Sequence, residues 1–256
     1  MVIAHLIVYL SLSQGSGLAE STQAGSKRLE IVDRAIEYHG GDRFRESRTQ
    51  LELCSKPGCY EVSAAIQGGR YELRVRGPYR GGVREVLMTN DGVRQWQDEL
   101  EVEVVTERQV ALRDWAMSRV YFCFLPFRLN DDSVIKEDLG LEGWSGRNLH
   151  KVKATFVPGT STDSDDQFIY WFDPSSGRLE QFAYSFVGNP GGLRFRQLSN
   201  FRRVGGLLFF DQENWGAAGD ELTVDEINPA FLSKMEKISS VELRNIQVDD
   251  LTGTID

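Results

Sequence analysis

A search for chemistry in this chain starts from three histidines and three cysteines, and it ends quickly. His39 follows Tyr38 at the end of a helical pattern and precedes Gly40 and Gly41. A cationic imidazole there would cap the helix C-terminus and interact favourably with its dipole. As a general base, His39 lacks an identifiable nucleophile. His150 opens a strand-like run in which Lys alternates with apolar residues, the setting of a surface or edge side chain. The glycines at 188–192 and 204–206 lie between strand-like runs, whereas a dinucleotide fingerprint needs a strand before the glycines and a helix after them. Asp163, Asp165 and Asp166 lack calcium-loop spacing and read as a solvated acidic loop. No catalytic residue, metal ligand or cofactor is assigned, and the chain is not read as an enzyme.

Cys54 and Cys59 flank Ser55-Lys56-Pro57-Gly58, a turn sequence between two strand-like runs. Two readings stay open: a disulfide across a hairpin, which an oxidising compartment would permit, or two free thiols. Zinc is disfavoured, because no second Cys or His pair completes a tetrahedral site. Cys123 sits in the apolar run 120–127 and reads as a buried spacer.

The remaining signal is aromatic. Phe168, Tyr170 and Phe172 share one face with Trp171 opposite, and Phe182, Tyr184 and Phe186 share another. Apolar side chains on both faces imply one face under helices and the other against a second core or a cavity. Arg194 and Arg196 alternate with Phe195, so two cations stand opposite that ring. They could clamp an anionic head group beside a greasy interior, or be plain surface charge over core.

Positioning these groups requires a scaffold. Lys27 to Tyr38 shows helical spacing of Leu29, Ile31, Val32, Ala35 and Ile36, with Ser26 as N-cap. Strand-like runs follow at 49–53, 59–67, 70–76, 82–89 and 93–97, separated by turns at Gly68-Gly69, Gly77-Pro78 and Asn90-Asp91-Gly92. A helix is expected from Glu107 to Phe124, apolar nearly all round in its second half and broken at Pro126. A second set of strands starts near Asn148, at 150–157, 167–172, 179–187, 193–204, 206–215 and 241–248, with a short helix over Asp225 to Lys237. No internal repeat or long linker divides the chain.

The formal net charge of −9 argues against nucleic acid, which demands a positive stripe to displace counterions. The first nineteen residues carry no Lys, Arg, Asp or Glu, and Val2 to Leu12 is apolar apart from His5 and Ser11. That run is too short to span a bilayer and fits a secretory signal cleaved near Gly17-Leu18-Ala19, although the basic segment that usually precedes it is missing. Residues 1–21 are read as a signal peptide and 22–256 as one β-rich domain, periplasmic or secreted.

Four strings carry a resemblance: Ala35 to Asp42 (AIEYHGGD), Val120 to Asp131 (VYFCFLPFRLND), Tyr170 to Phe186 (YWFDPSSGRLEQFAYSF) and Gly192 to Asn200 (GLRFRQLSN), with Arg203 to Gly206 after them. Together they resemble an uncharacterised family of exported bacterial proteins with a domain of unknown function, which is similar in turn to the LolA/LolB-like lipoprotein carriers. The resemblance implies an α+β fold, a strongly bent antiparallel half barrel wrapped around a few helices. It also implies an apolar hollow that receives acyl chains, with Tyr121 to Phe127 as an inserted lid. The candidate ligand-binding set is Tyr38, His39, Tyr121, Phe122, Leu125, Phe127, Tyr170, Tyr184, Arg194 and Arg196. The expected partner is a hydrophobic or acyl-chain ligand, with envelope proteins or a membrane surface as further partners. A structural or protein-interaction module of the envelope with a solid core is the alternative, and an unrecognised hydrolase comes last.

Overall fold

A computed structural model describes residues 28–56, 58–158, 166–186, 191–218, 223–253 and 255. The expected signal peptide, the Ser26 cap, Pro57, most of the acidic loop and the glycine turn before Gly191 lie outside these residues.

Strands dominate because β-branched and aromatic residues alternate with polar ones over most of the chain. The first six form a meander: β1 (Ser47–Ser55), β2 (Gly58–Gln67), β3 (Arg70–Tyr79), β4 (Gly82–Thr89), β5 (Gly92–Gln97) and β6 (Leu100–Val102). A second meander follows: β7 (Val134–Trp144), β8 (Arg147–Phe156), β9 (Gln167–Phe172), β10 (Leu179–Phe186), β11 (Gly192–Val204), β12 (Leu207–Ala218) and β13 (Glu236–Asp250). Antiparallel pairing of β1 with β13 fuses the two into one open 13-stranded sheet, with β6 and β7 at its edges. Helices α1 (Glu30–His39) and α2 (Arg43–Glu46) precede the sheet, and α3 (Thr106–Val120) connects the meanders. Among the described residues no helix is long and apolar enough to cross a membrane.

The sheet must curl. Arg113 of α3 reaches Tyr71 on β3, while Tyr121, just past the end of α3, lies against Phe168 on β9. Seven strand spacings at about 4.8 Å separate β3 from β9, roughly 34 Å on a flat sheet, whereas eight helical residues advance only about 12 Å. Side chains cannot bridge the difference, so the two wings fold toward each other over one concave core. That core collects the inner faces of both meanders and all three helices.

The convex face has its own cluster. Ile169, Trp171 and Phe195 point there, Trp144 stacks on Phe195 at 5.5 Å, and they are covered by Val224 and Ile227, in and just after the 3-10 turn Val224–Glu226, and by Phe231 and Leu232 of a second turn, Phe231–Lys234. Those turns replace the helix expected over 225–237. The Thr223–Glu226 capping box opens the first turn, the chain leaves it at Ile227 in an extended conformation, and Pro229 has no N–H to sustain a longer ladder.

Other boundaries also move. α1 opens at Glu30 with Leu29 as its N-cap and no side-chain cap bond. The turn expected at Gly77-Pro78 belongs to β3, where Pro78 pairs with Val83 and the chain reverses after Tyr79. The second set of strands starts at Val134, because edge strand β7 leaves most of one face in solvent and shows no clean apolar alternation. The expected 107–124 helix is α-helical only to Val120 and tightens to 3-10 over Tyr121–Phe124. Phe182, Tyr184 and Phe186 share their sheet face with Phe168, Tyr170 and Phe172, since Phe182 pairs with Tyr170 and Tyr184 with Phe168.

Candidate functional site

α3 crosses the concave face without filling it. Trp115 stands on a stack of alternating rings and guanidinium groups. Arg84 covers Tyr79 at 3.2 Å and Trp115 at 5.3 Å, and Arg119 covers Trp115 at 4.3 Å and Tyr60 at 4.8 Å. Such pairs attract a cation to the negative ring face, and their bulk holds the helix off β2 to β4. A hollow is left on each flank.

The larger hollow, about 840 Å³, has Ser118, Arg119 and Phe122 on the helix side. Period-two alternation sends Tyr184 and Phe186 of β10 into it, and the same rule brings Arg194 and Arg196 of β11. Arg194 pairs in register with Gly216, whose missing side chain matters: a Cβ there would sit 3.0 Å from Arg194 Nη1 and collide with Ile238 Cδ1. The Cys54–Cys59 disulfide forms, joining a hairpin whose partners lie directly opposite, and it borders this hollow. Cys123 also faces it. Burial pushes that thiol up to about 12, so it is not a nucleophile at neutral pH.

The interior arginines differ from those at the rim. Lys237 pairs with Glu213 at 2.6 Å, and Arg244 with Glu242 at 2.5 Å. Among the described residues no carboxylate lies within ion-pair distance of Arg119, Arg194 or Arg196. Arg196 Nη1 donates to Gln212 Oε1 at 3.4 Å, Arg194 Nη1 to the Leu193 carbonyl at 2.8 Å, and Arg119 Nη1 to the Trp115 carbonyl. The Nε atoms of Arg119 and Arg196 are buried without a partner. Burial lowers the Arg194 pKa from its ordinary value, with the nearby Arg196 charge acting in the same direction.

The smaller hollow, about 560 Å³, lies on the opposite helix flank, where Val110, Arg113, Met117 and Val120 recur at three- and four-residue spacing. Ala64, Leu73 and Met88 face them from β2, β3 and β4. Arg113 donates to the Tyr71 hydroxyl at 2.9 Å, which fixes its guanidinium against β3.

The expected ligand set divides accordingly. Phe122, Tyr184, Arg194 and Arg196 line the larger hollow, and Tyr121 borders the smaller one. Leu125, Phe127 and Tyr170 are buried in the concave core and border neither; Phe127 stacks on Phe44 at 4.2 Å. Burial raises the Tyr121 phenol to about 12 and that of Tyr170 well above its ordinary value. The Tyr121 to Phe127 segment is thus packing material for most of its length, with Phe122 between Phe182 and Tyr184 at 5.1 and 5.3 Å.

Tyr38 and His39 border neither hollow. His39 is not the cationic cap that its position suggested. It is fully buried, its Nε2 accepts the Leu179 N–H at 3.2 Å, and burial, with Arg203 and Arg178 nearby, lowers its pKa to about 3. Tyr38, His39 and Arg196 therefore do not meet in one described hollow. His150 is half-buried beside Asp138, 2.7 Å away. Among the described residues, Glu52, Cys54 and Cys59 cluster as metal ligands would, but both sulfurs are committed to the disulfide. Arg119 and Gly216 were missed from the sequence. A signal for Arg119 was its place four residues after Trp115 and three before Phe122, on one helical face.

Among solved structures, a LolA superfamily protein from Nitrosomonas europaea is similar at 12% identity, covering 87% of this chain and 93% of that one, with a TM-score of 0.48. A domain described as an outer membrane lipoprotein-sorting protein, from Vibrio parahaemolyticus, is similar at 11% identity, covering 89% and 93%, also with a TM-score of 0.48. A DUF1329 family protein from Desulfovibrio piger follows at 11% identity, 86% and 92% coverage and a TM-score of 0.46. No curated protein matches the chain. The model of a family of unknown function, DUF6503, matches residues 18–228.

Proposed function

The chain belongs to this DUF6503 family of unknown function, and from that premise we propose that it is an exported, non-catalytic binder or carrier of a hydrophobic, lipid-like ligand, built as a half barrel. One observation carries the reading: a helix held off the concave face, with hollows of about 840 and 560 Å³ on its flanks. Both volumes lie in the range of small-molecule sites; the smaller hollow has a mainly aliphatic and aromatic wall, whereas the larger sets rings such as Phe122, Tyr184 and Phe186 among many polar and charged side chains. The convex-face cluster around Trp144, Trp171 and Phe195, by contrast, is packed with its own side chains and lines neither hollow. The charge-poor N-terminal run supplies the motive for export.

The test is direct. Delipidated protein incubated with a bacterial lipid extract, re-isolated and analysed by mass spectrometry, is expected to return acyl-bearing species in defined stoichiometry. Protein that returns empty throughout overturns the reading. The second reading, an envelope interaction module, has one observation in its favour: Leu139 and Leu141 are exposed on edge strand β7, Leu141 by 62%. Empty protein, together with self-association that Leu141→Lys abolishes, would favour it.

A further inference from the structure

Resting on the ligand-binding reading, we infer that the larger hollow is a site for an anionic amphiphile, its carboxylate or phosphate head held by Arg119, Arg194 and Arg196 and its chain laid against Phe122, Tyr184 and Phe186. The three arginines arrive from two separate elements, α3 and β11, and face one space. In a chain of net charge −9 most arginines find a carboxylate, as Arg48 does with Glu72 and Arg202 with Asp211. These three do not, although acidic residues outnumber basic ones 38 to 29.

Removing a guanidinium from water without an opposite charge is unfavourable, and three in one hollow repel one another. The surrounding rings answer only half of that cost. Arg194 lies over Phe186 at 4.7 Å and Arg196 over Phe122 at 5.2 Å, contacts that engage the guanidinium rather than its N–H groups. Among the described residues only the Nη1 atoms have protein acceptors, so the Nη2 groups are uncommitted, and the Nε atoms of Arg119 and Arg196 are buried without a partner. A planar carboxylate or a phosphate accepts two such donors from one guanidinium, which is the geometry that Arg serves better than Lys. Gly216, in register with Arg194, lets that guanidinium lie where it does, since a Cβ there would come within 3.0 Å of its Nη1. The rings that hold the arginines also line the same space, so charge and chain are recognised together.

The experiment uses the delipidated full chain and five probes: palmitate, hexadecyl phosphate, hexadecanol, hexadecyltrimethylammonium and inorganic phosphate. Titration is expected to rank palmitate and hexadecyl phosphate about tenfold or more above hexadecanol, with the cationic probe weakest. Arg194→Gln with Arg196→Gln is expected to remove that preference, bringing palmitate and hexadecyl phosphate to the level of hexadecanol on the same variant. Hexadecanol binding as tightly as palmitate overturns the inference but leaves the ligand-binding reading standing. Failure of all four amphiphiles overturns both. Inorganic phosphate that displaces palmitate at equal concentration identifies a free-anion site and overturns the head-group assignment. Should the double variant not fold, the ranking of the five probes on the unmodified protein decides by itself.

Discussion

The two long helices meet the same concave face in opposite ways. α1 is seated. Val32, Ala35 and His39 are fully buried, and the turn between β9 and β10 presses so close that a Cβ on Gly177 would lie 2.9 Å from the Ala35 nitrogen and the Arg34 carbonyl carbon. Two hydrogen bonds lock the contact, Arg34 to the Pro174 carbonyl at 2.7 Å and Leu179 N–H to His39. α3 buries Leu112, Ala116 and Val120 as well, but Trp115, Arg84 and Arg119 stack beside that seam, and space is left on both flanks of the helix. Small residues at a helix–sheet contact give close packing, whereas long side chains stacked end on end give spacing. Capacity to bind follows from the second arrangement and rigidity from the first.

The contrast would break most visibly at a single methyl group. Gly177→Ala adds a side chain at φ +81°, facing backbone that cannot yield, and should lower unfolding stability by about 2–4 kcal/mol in denaturant titration. A loss below about 0.5 kcal/mol would mean that α1 is seated no more firmly than α3.

A second effect, of about 1–2 kcal/mol, concerns His39. Its native pKa is about 3 against an ordinary 6.5, so below pH 6.5 the unfolded chain takes up a proton that the native state refuses. The stability it contributes is complete above about pH 6.5 and falls as pH drops toward 3, at up to about 1.4 kcal/mol per pH unit. His39→Gln should weaken the protein at pH 7.5 and flatten that acid slope, as thermal melts across pH 7.5 to 4.5 will read. An unchanged slope would show that His39 is not kept neutral under α1.

The smallest change in stability belongs to the α3 side. At Gly216 the obstacle to a new side chain is the far end of Ile238, which can swing away, and the Arg194 guanidinium. Gly216→Val should therefore alter stability by less than about 1 kcal/mol while weakening palmitate binding about tenfold in fluorescence displacement. Equal losses of stability for Gly216→Val and Gly177→Ala would erase the distinction between spacing and seating.

Much of the scaffold was legible before any coordinates. Strands 82–89 and 167–172 match residue for residue, because alternation and flanking turn residues act within a few positions of chain. β7 escaped notice since an edge strand needs only one partner and no continuous apolar face, and the 225–237 segment looked helical in composition although it is two short turns over Trp144 and Trp171. The hairpin cysteines could be paired from spacing alone, with free thiols as the rival, because the register across a short turn is a local matter. The ligand set was legible only in part. Phe122, Tyr184, Arg194 and Arg196 share a hollow, whereas Leu125, Phe127 and Tyr170, equally apolar or aromatic in the sequence, are spent on core.

The sequence by itself determined most of the strands and turns and the opposite faces of Phe195 and its two flanking arginines. Tertiary structure alone decided that Arg119 joins Arg194 and Arg196, that His39 is buried and neutral, and that two hollows flank α3 while α1 lines neither. Periodicity acts between neighbours along one chain segment, whereas a hollow exists only where surfaces from segments far apart in sequence fail to meet. That failure depends on how far the sheet curls and how high its stacked rings hold the helix.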